Sequence, residues 1–497
     1  MVAASDKDQI IAQLTATVSE MSSSIERLTA EVSELKRMLF GQSRERLQRE
    51  KLPPLARAMQ DRQPPDEAQK LARRLATKEK RALRALAKKA LPTEDVIHPI
   101  DACPHCASAE LKDIGSSEIS EEIDLVPAHF VRRRHIRPKK KCQACERIVC
   151  APAPARVTDG ALWGPRLHAH VAVAKCADAL PFYRLAKRFQ RDGIPIERST
   201  LDRLFHRDAE LLAPIAARIL ALAVQSERVN ADETPVFVQA PDRCKRGYMW
   251  TFLSDKNIAF VFSPNRSGET PKRVLAGTTG FLQVDQYTGY NAVCVPKGRQ
   301  RVGCLSHSRR KFFRALDSAP EDAACALDHV LALYEVEYEA ARRGILGTDE
   351  HLALRRAITA ERFDAFIAWV NEKKATYPPK SPMGMALRYA HKTLVSLQAA
   401  VLADPRVRLD NNLAENALRL IALGRKNFLF VGDDEAGHNL AALQTVVSTC
   451  IANDVNPEAY IADVLMRLGN TPSSRIDELL PASWSTAAQA TTSAQAS

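Results

Sequence analysis

The sequence predicts a mixed α/β core that is preceded and followed by helical segments. Between residues 226 and 290, four runs of β-branched and aromatic residues are bounded by turn residues, a pattern typical of strands. Residues 317–402 are instead rich in Ala, Leu and Glu at helical spacing, and helical spacing returns after residue 433. A chain of 497 residues is long enough for two to four domains.

The first segment, residues 1–43, carries a heptad pattern. Its apolar residues alternate in steps of three and four, with mostly β-branched residues at the first position of each heptad and mostly Leu at the second. This pattern predicts a coiled coil that makes the protein a homodimer or a higher oligomer. The alternative is an amphipathic helix that packs on its own domain. The apolar positions are Ile11, Leu14, Val18, Met21, Ile25, Leu28, Val32, Leu35 and Leu39.

Residues 44–95 become strongly basic towards their end. The stretch KLARRLATKEKRALRALAKK contains nine basic residues and one acidic residue, and the whole chain has a formal net charge of +12. Such an excess of Lys and Arg favours an acidic partner, of which nucleic acid is the commonest. Two interpretations stay open for this segment, a helix that lies along DNA phosphates and a solvated linker helix.

Residues 96–152 contain two C-x-x-C motifs that are separated by 35 residues. Four thiolates are the ligand set that one tetrahedral structural Zn²⁺ ion requires, and each short motif can wrap one side of the ion. Four unrelated cysteines or a redox pair are the alternatives. The intervening VRRRHIRPKKKC is basic, so the module can also contact DNA. The predicted ligands are Cys103, Cys106, Cys142 and Cys145.

Residues 160–225 include LPFYRLAKRFQRDGIPIERSTLDRLFHRDAELL, which predicts two helices joined by a short turn at Gly193. The layout is similar to a helix-turn-helix, whose second helix contacts DNA. Arg198, Arg203 and Arg207 lie on or near that second helix and are the candidate DNA-binding residues. A purely structural helical hairpin is the alternative.

Three acidic residues stand out in the second half of the chain. Asp232 lies in the first strand-like run and Asp285 at the end of the fourth. Glu415 follows in RVRLDNNLAENALRLIALGRKNFLFVG, where Asp410 is a plausible N-cap of a helix. Helical geometry alone also allows an exposed ion pair between Glu415 and Arg419, four residues later.

The three acids together predict a metal site. Two aspartates on strands and a glutamate on a later helix can converge on one point, and three hard oxygen ligands suit Mg²⁺ or Mn²⁺. Two such ions clamp the attacking and leaving oxygens of a phosphoryl transfer. Asn412 is placed to orient Glu415. Glu233, Asp242 and Asp255 compete for the same roles.

Several motifs resemble the insertion-sequence-66 (IS66) family of DDE-type transposases, over nearly the whole chain. HPIDACPHC with KKCQAC resembles the zinc-binding module of that family, and ADETPVFV, GFLQVDQYTGYNAV and RLDNNLAENALRLIALGRKNFLFVG resemble its three acid-bearing motifs. The resemblance implies a catalytic core of ribonuclease-H-like type with a large helical insertion. It places the catalytic acids at Asp232, Asp285 and Glu415.

The resemblance extends to CLSHSRRKFF, in which His307 matches a family motif. It implies that His307 helps to position phosphate or the attacking hydroxyl, and a structural histidine is the alternative. Arg425 and Lys426, just beyond the glutamate motif, are candidates for DNA phosphate contacts or are surface charges.

We therefore expect a DNA transposase that binds the terminal inverted repeats of an insertion sequence. It would cut DNA with two Mg²⁺ or Mn²⁺ ions and join the freed 3′ end to target DNA. A metal-dependent nuclease that never joins DNA and a catalytically silent DNA-binding regulator are the alternatives. Small accessory proteins of the same element are implied as partners.

The sequence also predicts where the protein works. The sequence contains no run of about 18 apolar residues that would predict a membrane span, and the N-terminus lacks the layout of a secretion signal. Eleven cysteines are scattered without the spacing of a disulfide framework, which fits reduced thiols. We expect a cytoplasmic, nucleoid-associated protein.

The predicted domains follow from these patterns. They are the coiled coil (1–43), the basic linker or helix (44–95), the zinc-binding module (96–152), the helix-turn-helix-like segment (160–225), the ribonuclease-H-like core (226–432) with its helical insertion (317–402), a C-terminal helical segment (433–483) and a disordered tail (484–497).

Overall fold

The computed structural model describes residues 77–78, 130–141, 148–158, 160–241 and 243–484. The predicted coiled coil, the four predicted zinc ligands and Asp242 lie outside the described residues. The chain divides into two compact units, one of which is residues 55–131. The fold below is that of the other unit, from residue 132 onward.

The N-terminal part of this unit combines a short hairpin with three helices. Strands β1 (Lys140–Lys141) and β2 (Ile148–Val149) pair antiparallel. Helices α1 (Pro165–Cys176), α2 (Phe182–Arg191) and α3 (Arg198–Gln225) follow. The predicted turn between α2 and α3 holds Gly193, whose φ of +85° is a conformation that favours glycine.

A buried pair joins the first and third of these helices. His168 Nδ1 of α1 lies 2.6 Å from Asp208 Oδ1 of α3, and both side chains are almost completely buried. Burial is the largest influence on Asp208 and raises the pKa of its carboxyl, whereas His168 opposes the rise. Such a contact aligns two helices because each buried polar group needs its partner.

A five-stranded mixed sheet forms the centre of the molecule. Its order is β5-β4-β3-β6-β7, and only β4 runs antiparallel to the other strands. The sequence therefore correctly predicts a mixed α/β fold, and most of the described residues are helical. The strands are β3 (Arg228–Val238), β4 (Lys245–Ser254), β5 (Asn257–Ser263), β6 (Gly280–Gln283) and β7 (Arg299–Val302).

One face of the sheet is covered by α3, by α4 (Glu269–Leu275) and by the turn around Tyr290. Trp250 and Phe252 of β4 are fully buried in this layer. Val229 and Ala231 of β3 also belong to this layer, since residues two apart along a strand point to the same face.

The free edge of the sheet is closed by a helix. Strand β5 is the outer strand, and α11 (Asp434–Ala452) lies against it. Thr445 and Thr449 accept hydrogen bonds from the backbone N–H groups of Phe260 and Ile258, at 2.8 and 3.2 Å. The threonines therefore satisfy the edge donors that would otherwise be free to pair with another strand.

A helical cluster lies between β7 and the helix that carries Glu415. It packs around a continuous apolar core that includes Phe312, Phe363 and Phe366, all fully buried. A π-helical turn, Arg355–Thr359, joins two of its helices. The helices are α5 (Leu305–Ala315), α6 (Pro320–Arg343), α7 (Asp349–Leu354), α8 (Ala360–Lys373) and α9 (Pro382–Ala403).

The chain then returns to the sheet. Helix α10 (Asn412–Phe428) packs on β3, and Val431 forms a parallel bridge with Val238 at the end of that strand. Helix α12 (Pro457–Arg467) follows α11. Trp484, the first residue of the predicted tail, donates a hydrogen bond to Asp463 at 2.8 Å. None of the described helices is long and apolar enough to span a membrane.

Candidate active site

The register of two parallel strands brings Asp232 and Asp285 side by side. Asn230 of β3 pairs with Gln283, the last residue of β6, and their side chains share a hydrogen bond of 3.2 Å on one face. Each aspartate lies two residues further along its strand direction. Because side chains repeat every two residues along a strand, both carboxylates emerge next to each other, just beyond the end of β6.

Glu415 reaches the same place because Asn411 anchors the start of α10 to β3. The Asn411 side chain is buried, donates to the Ala231 carbonyl at 2.8 Å and accepts from Asn230 Nδ2 at 2.9 Å. Its backbone N–H donates to Cys304 Sγ at 3.2 Å. Glu415 lies in the first turn of α10, one turn beyond this anchor.

The three acids share one electrostatic environment. The pKa of Asp232 is raised to about 7, mainly by burial and then by the negative charges of Glu233, Asp285 and Glu415. A hydrogen bond of 2.9 Å from the Glu233 backbone N–H to Asp232 Oδ1 opposes the rise. A carboxyl whose pKa is raised by neighbouring negative charges is poised for a cation, which removes the repulsion.

Glu415 contacts α5 and not Arg419. Its Oε1 lies 3.7 Å from His307 Nδ1, and its Oε2 lies 3.4 Å from an Arg310 nitrogen. Burial is the main influence on His307 and lowers its pKa, whereas the charges of Glu415 and Asp285 oppose the change. His307 is therefore a neutral imidazole near neutral pH and lies close to two of the three acids.

Glu233, the competitor of Asp232, is occupied by other partners. It points to the opposite face of β3, where Arg266 Nε donates to its carboxylate at 2.7 Å and the Tyr290 hydroxyl donates at 3.0 Å. Arg266 also lies over the ring of Tyr287, 4.2 Å from its centre. The charge of Glu233 is thus already balanced by a guanidinium.

Asp255, another competitor, is a turn residue with 72% of its side chain exposed, and it contacts Arg228 at 3.3 Å. It follows β4 at the β4–β5 turn, where its φ is +42°. Its conformation and exposure fit a turn former and not a cation ligand.

Comparison with known proteins identifies the family of the chain. The family model described as "Transposase IS66 family" matches residues 160–439, which is more than half of the chain. The chain belongs to the IS66 transposase family. The match includes Asp232, Asp285 and Glu415, the whole sheet and the helical cluster.

Two further IS66 models match segments on either side of this range. The "zinc-finger binding domain of transposase IS66" matches residues 101–146, which include all four predicted zinc ligands, and the "IS66 C-terminal element" matches residues 445–482. The prediction of a zinc-binding module is therefore confirmed at the level of the family.

Three relatives from Sinorhizobium fredii (strain NBRC 101917 / NGR234) are similar over most of their length. Uncharacterized protein y4hP is 33% identical over 421 residues, which cover 80% of this chain and 76% of the relative. Uncharacterized protein y4jD is 34% identical, over 80% of this chain and 81% of the relative. Uncharacterized protein y4qI is 32% identical, over 78% of this chain and 75% of the relative.

In this IS66 chain, the N-terminus of α10 differs in detail from the prediction. Helix α10 begins at Asn412 after Asn411, so Asp410 is not the N-cap; its Oδ1 accepts from the backbone N–H of Asn412 at 3.1 Å. The Asn412 side chain is exposed and accepts a bond of 3.3 Å from Ser306. It ties α10 to the first turn of α5, which carries His307.

The predicted DNA-binding residues fall into two groups. Arg198, Arg203 and Arg207 are exposed on α3, and Arg207 forms an ion pair of 3.0 Å with Glu210. Lys426 is exposed at the end of α10.

Arg425, by contrast, turns towards the sheet. Its guanidinium donates to the Pro235 carbonyl and, at 3.3 Å, to the Thr234 hydroxyl. Arg425 therefore fastens the C-terminal end of α10 to β3, as Asn411 fastens its beginning.

Four residues around the acids were not predicted from the sequence. Asn411 lies in the glutamate motif and differs from Asn412 only in being buried, a distinction that the motif does not reveal. Tyr290 and Arg310 lie within the motifs GFLQVDQYTGYNAV and CLSHSRRKFF, but the motifs do not reveal that their partners are Glu233 and Glu415. Arg266 lies outside the quoted motifs, and its partner is Glu233.

Proposed function

We propose that this IS66 family member is a DNA transposase that binds the terminal inverted repeats of an insertion sequence, cuts the DNA there and transfers the freed 3′ ends to target DNA. The observation that carries the proposal is the convergence of Asp232, Asp285 and Glu415: the charges of Asp285 and Glu415 both act on the carboxyl of Asp232. Three carboxylates, of which Glu415 alone has an ion-pair contact among the described residues, form an acidic site that suits phosphoryl transfer.

The sheet supports a ribonuclease-H-like core. A central β3 has β4 and β5 on one side and the parallel pair β6 and β7 on the other, and β4 alone is reversed. The two aspartates lie on β3 and after β6, and the glutamate lies on a helix packed against β3. The helical cluster between β7 and α10 then corresponds to the insertion.

The residues present fit two divalent cations. Two observations indicate negative charge that a cation would compensate. The pKa of Asp232 is raised, and Oε1 of Glu415 is buried without a hydrogen-bond partner among the described residues. Asp232, Asp285 and Glu415 would hold the ions. When bound, Mg²⁺ or Mn²⁺ ions supply Lewis-acid stabilisation of the attacking and leaving oxygens.

The proposed reaction has two phosphoryl transfers. In the first, a water molecule loses a proton and its oxygen bonds to phosphorus, while the bond from phosphorus to the 3′ oxygen breaks and that oxygen takes up a proton. In the second, the resulting 3′-hydroxyl loses its proton and its oxygen bonds to a target phosphorus, while the bond from that phosphorus to the 3′ oxygen of the target strand breaks and this oxygen takes up a proton. Neither step needs a covalent protein intermediate, so the chain needs no Ser or Tyr nucleophile.

The chain's own cations are placed to bind the DNA. Arg310, with 39% of its side chain exposed, contacts Glu415, and Lys311 is close enough to Asp285 for that charge to oppose the lowering of the Lys311 pKa by burial. Both follow His307 on α5. They would hold a phosphate of the DNA beside the acids, whereas Arg198, Arg203 and Arg207 would bind the repeat away from the site.

Further partners are proposed on the same basis. The zinc module would hold one Zn²⁺ ion on Cys103, Cys106, Cys142 and Cys145 and contact the repeats. The heptads of residues 1–43 would pair two or more copies, so that both element ends are held in one complex. Small accessory proteins of the same element would complete it.

The test is cleavage and joining of labelled DNA that carries the inverted repeats flanking the gene, with Mg²⁺ or Mn²⁺. We compare the native protein with Glu415→Gln and, as a matched control, Glu435→Gln, an acid in the first turn of α11. We expect Glu415→Gln to lose at least about a hundredfold in both steps and to keep DNA binding.

Equal activity of the native protein and Glu415→Gln would overturn the assignment of the glutamate. Cleavage without joined products in the native protein would instead make the chain a nuclease, and DNA binding without any cleavage would make it a regulator.

A further inference from the structure

One contact in the site has a geometry that the proposed function does not yet explain. His307 Nδ1 and Glu415 Oε1 are both buried atoms without a hydrogen-bond partner among the described residues, and they face each other at 3.7 Å. This distance is too long for a hydrogen bond. Two buried polar atoms left unpaired are unfavourable unless a third group lies between them.

A cation satisfies both atoms. Metal–ligand bonds of about 2.1 Å allow two ligand atoms to lie up to about 4 Å apart, so 3.7 Å is within the reach of one ion. A proton shared between the two atoms would instead draw them to about 2.8 Å, as occurs where His170 Nδ1 lies 2.8 Å from Glu458 Oε1.

The other contacts of the pair leave these two atoms free. Arg310 contacts the second oxygen of Glu415, Oε2, and therefore orients the carboxylate without covering Oε1. The His307 ring lies near Tyr389, with ring centres 6.4 Å apart. Helices α5 and α10 thus present one nitrogen and one oxygen to the same point.

Cys304 lies close enough to be considered as a third ligand. Its Sγ is within 4.8 Å of the ligand atoms of His307 and Glu415. It is fully buried, however, and accepts the backbone N–H of Asn411 at 3.2 Å. Sulfur is also a soft ligand, which suits a hard cation such as Mg²⁺ or Mn²⁺ poorly.

We propose that His307 is a direct ligand of the cation held by Glu415, and that it makes this site prefer Mn²⁺ to Mg²⁺. Imidazole nitrogen suits first-row transition metals, whereas Mg²⁺ selects oxygen ligands almost alone. A site of one nitrogen and several carboxylate oxygens therefore binds Mn²⁺ more tightly than an all-oxygen site would. The inference rests on the proposed function, because it assigns an added ligand to the same site.

The test measures Mn²⁺ directly by electron paramagnetic resonance on the full-length, zinc-loaded protein at pH 8. Titration of the free Mn²⁺ signal gives the dissociation constant, and electron spin-echo modulation detects a nitrogen bonded to bound Mn²⁺. We compare the native protein with His307→Gln, with Glu415→Gln and with His391→Gln. His391 is exposed on α9, where it contacts Asn371 at 2.8 Å, and serves as the matched control.

We expect nitrogen modulation in the native protein and in His391→Gln, and its loss in His307→Gln. The Mn²⁺ dissociation constant of His307→Gln should rise about tenfold, while competition by Mg²⁺ changes little. Thermal unfolding of each variant checks that it is folded, and His307→Asn provides a second variant of the same position.

Two other outcomes separate the two proposals. Mn²⁺ that binds tightly, is lost in Glu415→Gln and shows no nitrogen modulation would overturn the role of His307 and leave the proposed function intact. Mn²⁺ binding that is equal in the native protein and Glu415→Gln would overturn both.

Discussion

Two partly buried groups of charged residues differ in whether their charges are paired. In the helical cluster, Arg355 makes two hydrogen bonds of 2.8 Å to the Glu337 carboxylate and donates to carbonyls at the end of α9 and just after it. At the sheet, Asp232, Asp285 and Glu415 lie close together, and among the residues that the structure describes only Glu415 has an arginine side chain, Arg310, in contact at 3.4 Å.

This difference distinguishes buried charges that stabilise the fold from buried charges that serve a ligand. A buried ion pair whose hydrogen bonds are all made is compensated within the fold, and its loss is a loss of stability. A group of like charges is uncompensated, is unfavourable for stability, and persists where a ligand completes it. Substitutions in the two groups should therefore change stability in opposite directions.

The largest effect on stability is expected for Arg355→Met. In the part of the chain that the structure describes, the substitution leaves the partly buried Glu337 carboxylate with His351, 3.2 Å away, as its one remaining ion-pair partner, so the free energy of unfolding should fall by about 3–5 kcal/mol. Chemical denaturation measures the change. Arg356→Met, the next residue along and an exposed one, is the matched control.

A double variant sharpens the same prediction. Arg355→Met combined with Glu337→Met removes both charges and should recover most of the lost stability, since no unpaired charge remains. A double variant as unstable as Arg355→Met alone would show that packing, and not charge, is the origin of the effect.

The effect of Asp232→Asn on the free energy of unfolding should have the opposite sign and depend on pH. The pKa of Asp232 is raised from 3.8 to about 7, so the folded state without divalent cations keeps a proton that the unfolded state has released. The stability that this bound proton contributes is complete below about pH 4 and is lost as the pH rises through about 7. Above pH 7, Asp232→Asn should be more stable than the native protein by about 2 kcal/mol, after a discount for solvent screening.

The measurement is thermal unfolding from pH 5 to pH 8.5 without added divalent cation. Asp255→Asn, which changes an exposed turn aspartate, should leave the pH profile unaltered. If the pH profile is the same for Asp232→Asn and the native protein, the pKa of Asp232 is not raised by burial and by its neighbours. Added Mn²⁺ should stabilise the native protein and not Asp232→Asn.

The smallest effect is expected for Arg266→Gln. Its partner Glu233 is almost completely buried, but Arg266 is 43% exposed and Tyr290 still donates to the carboxylate. Unfolding free energy should fall by about 1 kcal/mol. If Glu233 only balances Arg266, the Mn²⁺ dissociation constant should stay the same; a large change would place Glu233 among the ligands. Arg273→Gln, on α4, is the control.

Much of the fold follows from local patterns. Runs of β-branched and aromatic residues bounded by turn residues predict strands near Asp232, and helical spacing predicts the helices around 317–402. Two C-x-x-C motifs predict a zinc module. Each of these patterns depends on only a few neighbouring residues. The family resemblance adds the choice of three acids. The function of His307 is predicted only in outline, as a positioning residue.

The sequence by itself identified the three candidate acids and the IS66 family of this protein, and it predicted where strands and helices lie. Only the tertiary structure decided which groups surround the acids. It assigned Glu233 to Arg266 and Asp232 to the acid cluster, although the two are adjacent, and it brought Arg310 to Glu415 across 105 residues and Asn411 to Asn230 across 181. Local spacing reflects backbone periodicity, whereas these neighbours result from packing between elements that are far apart in the chain.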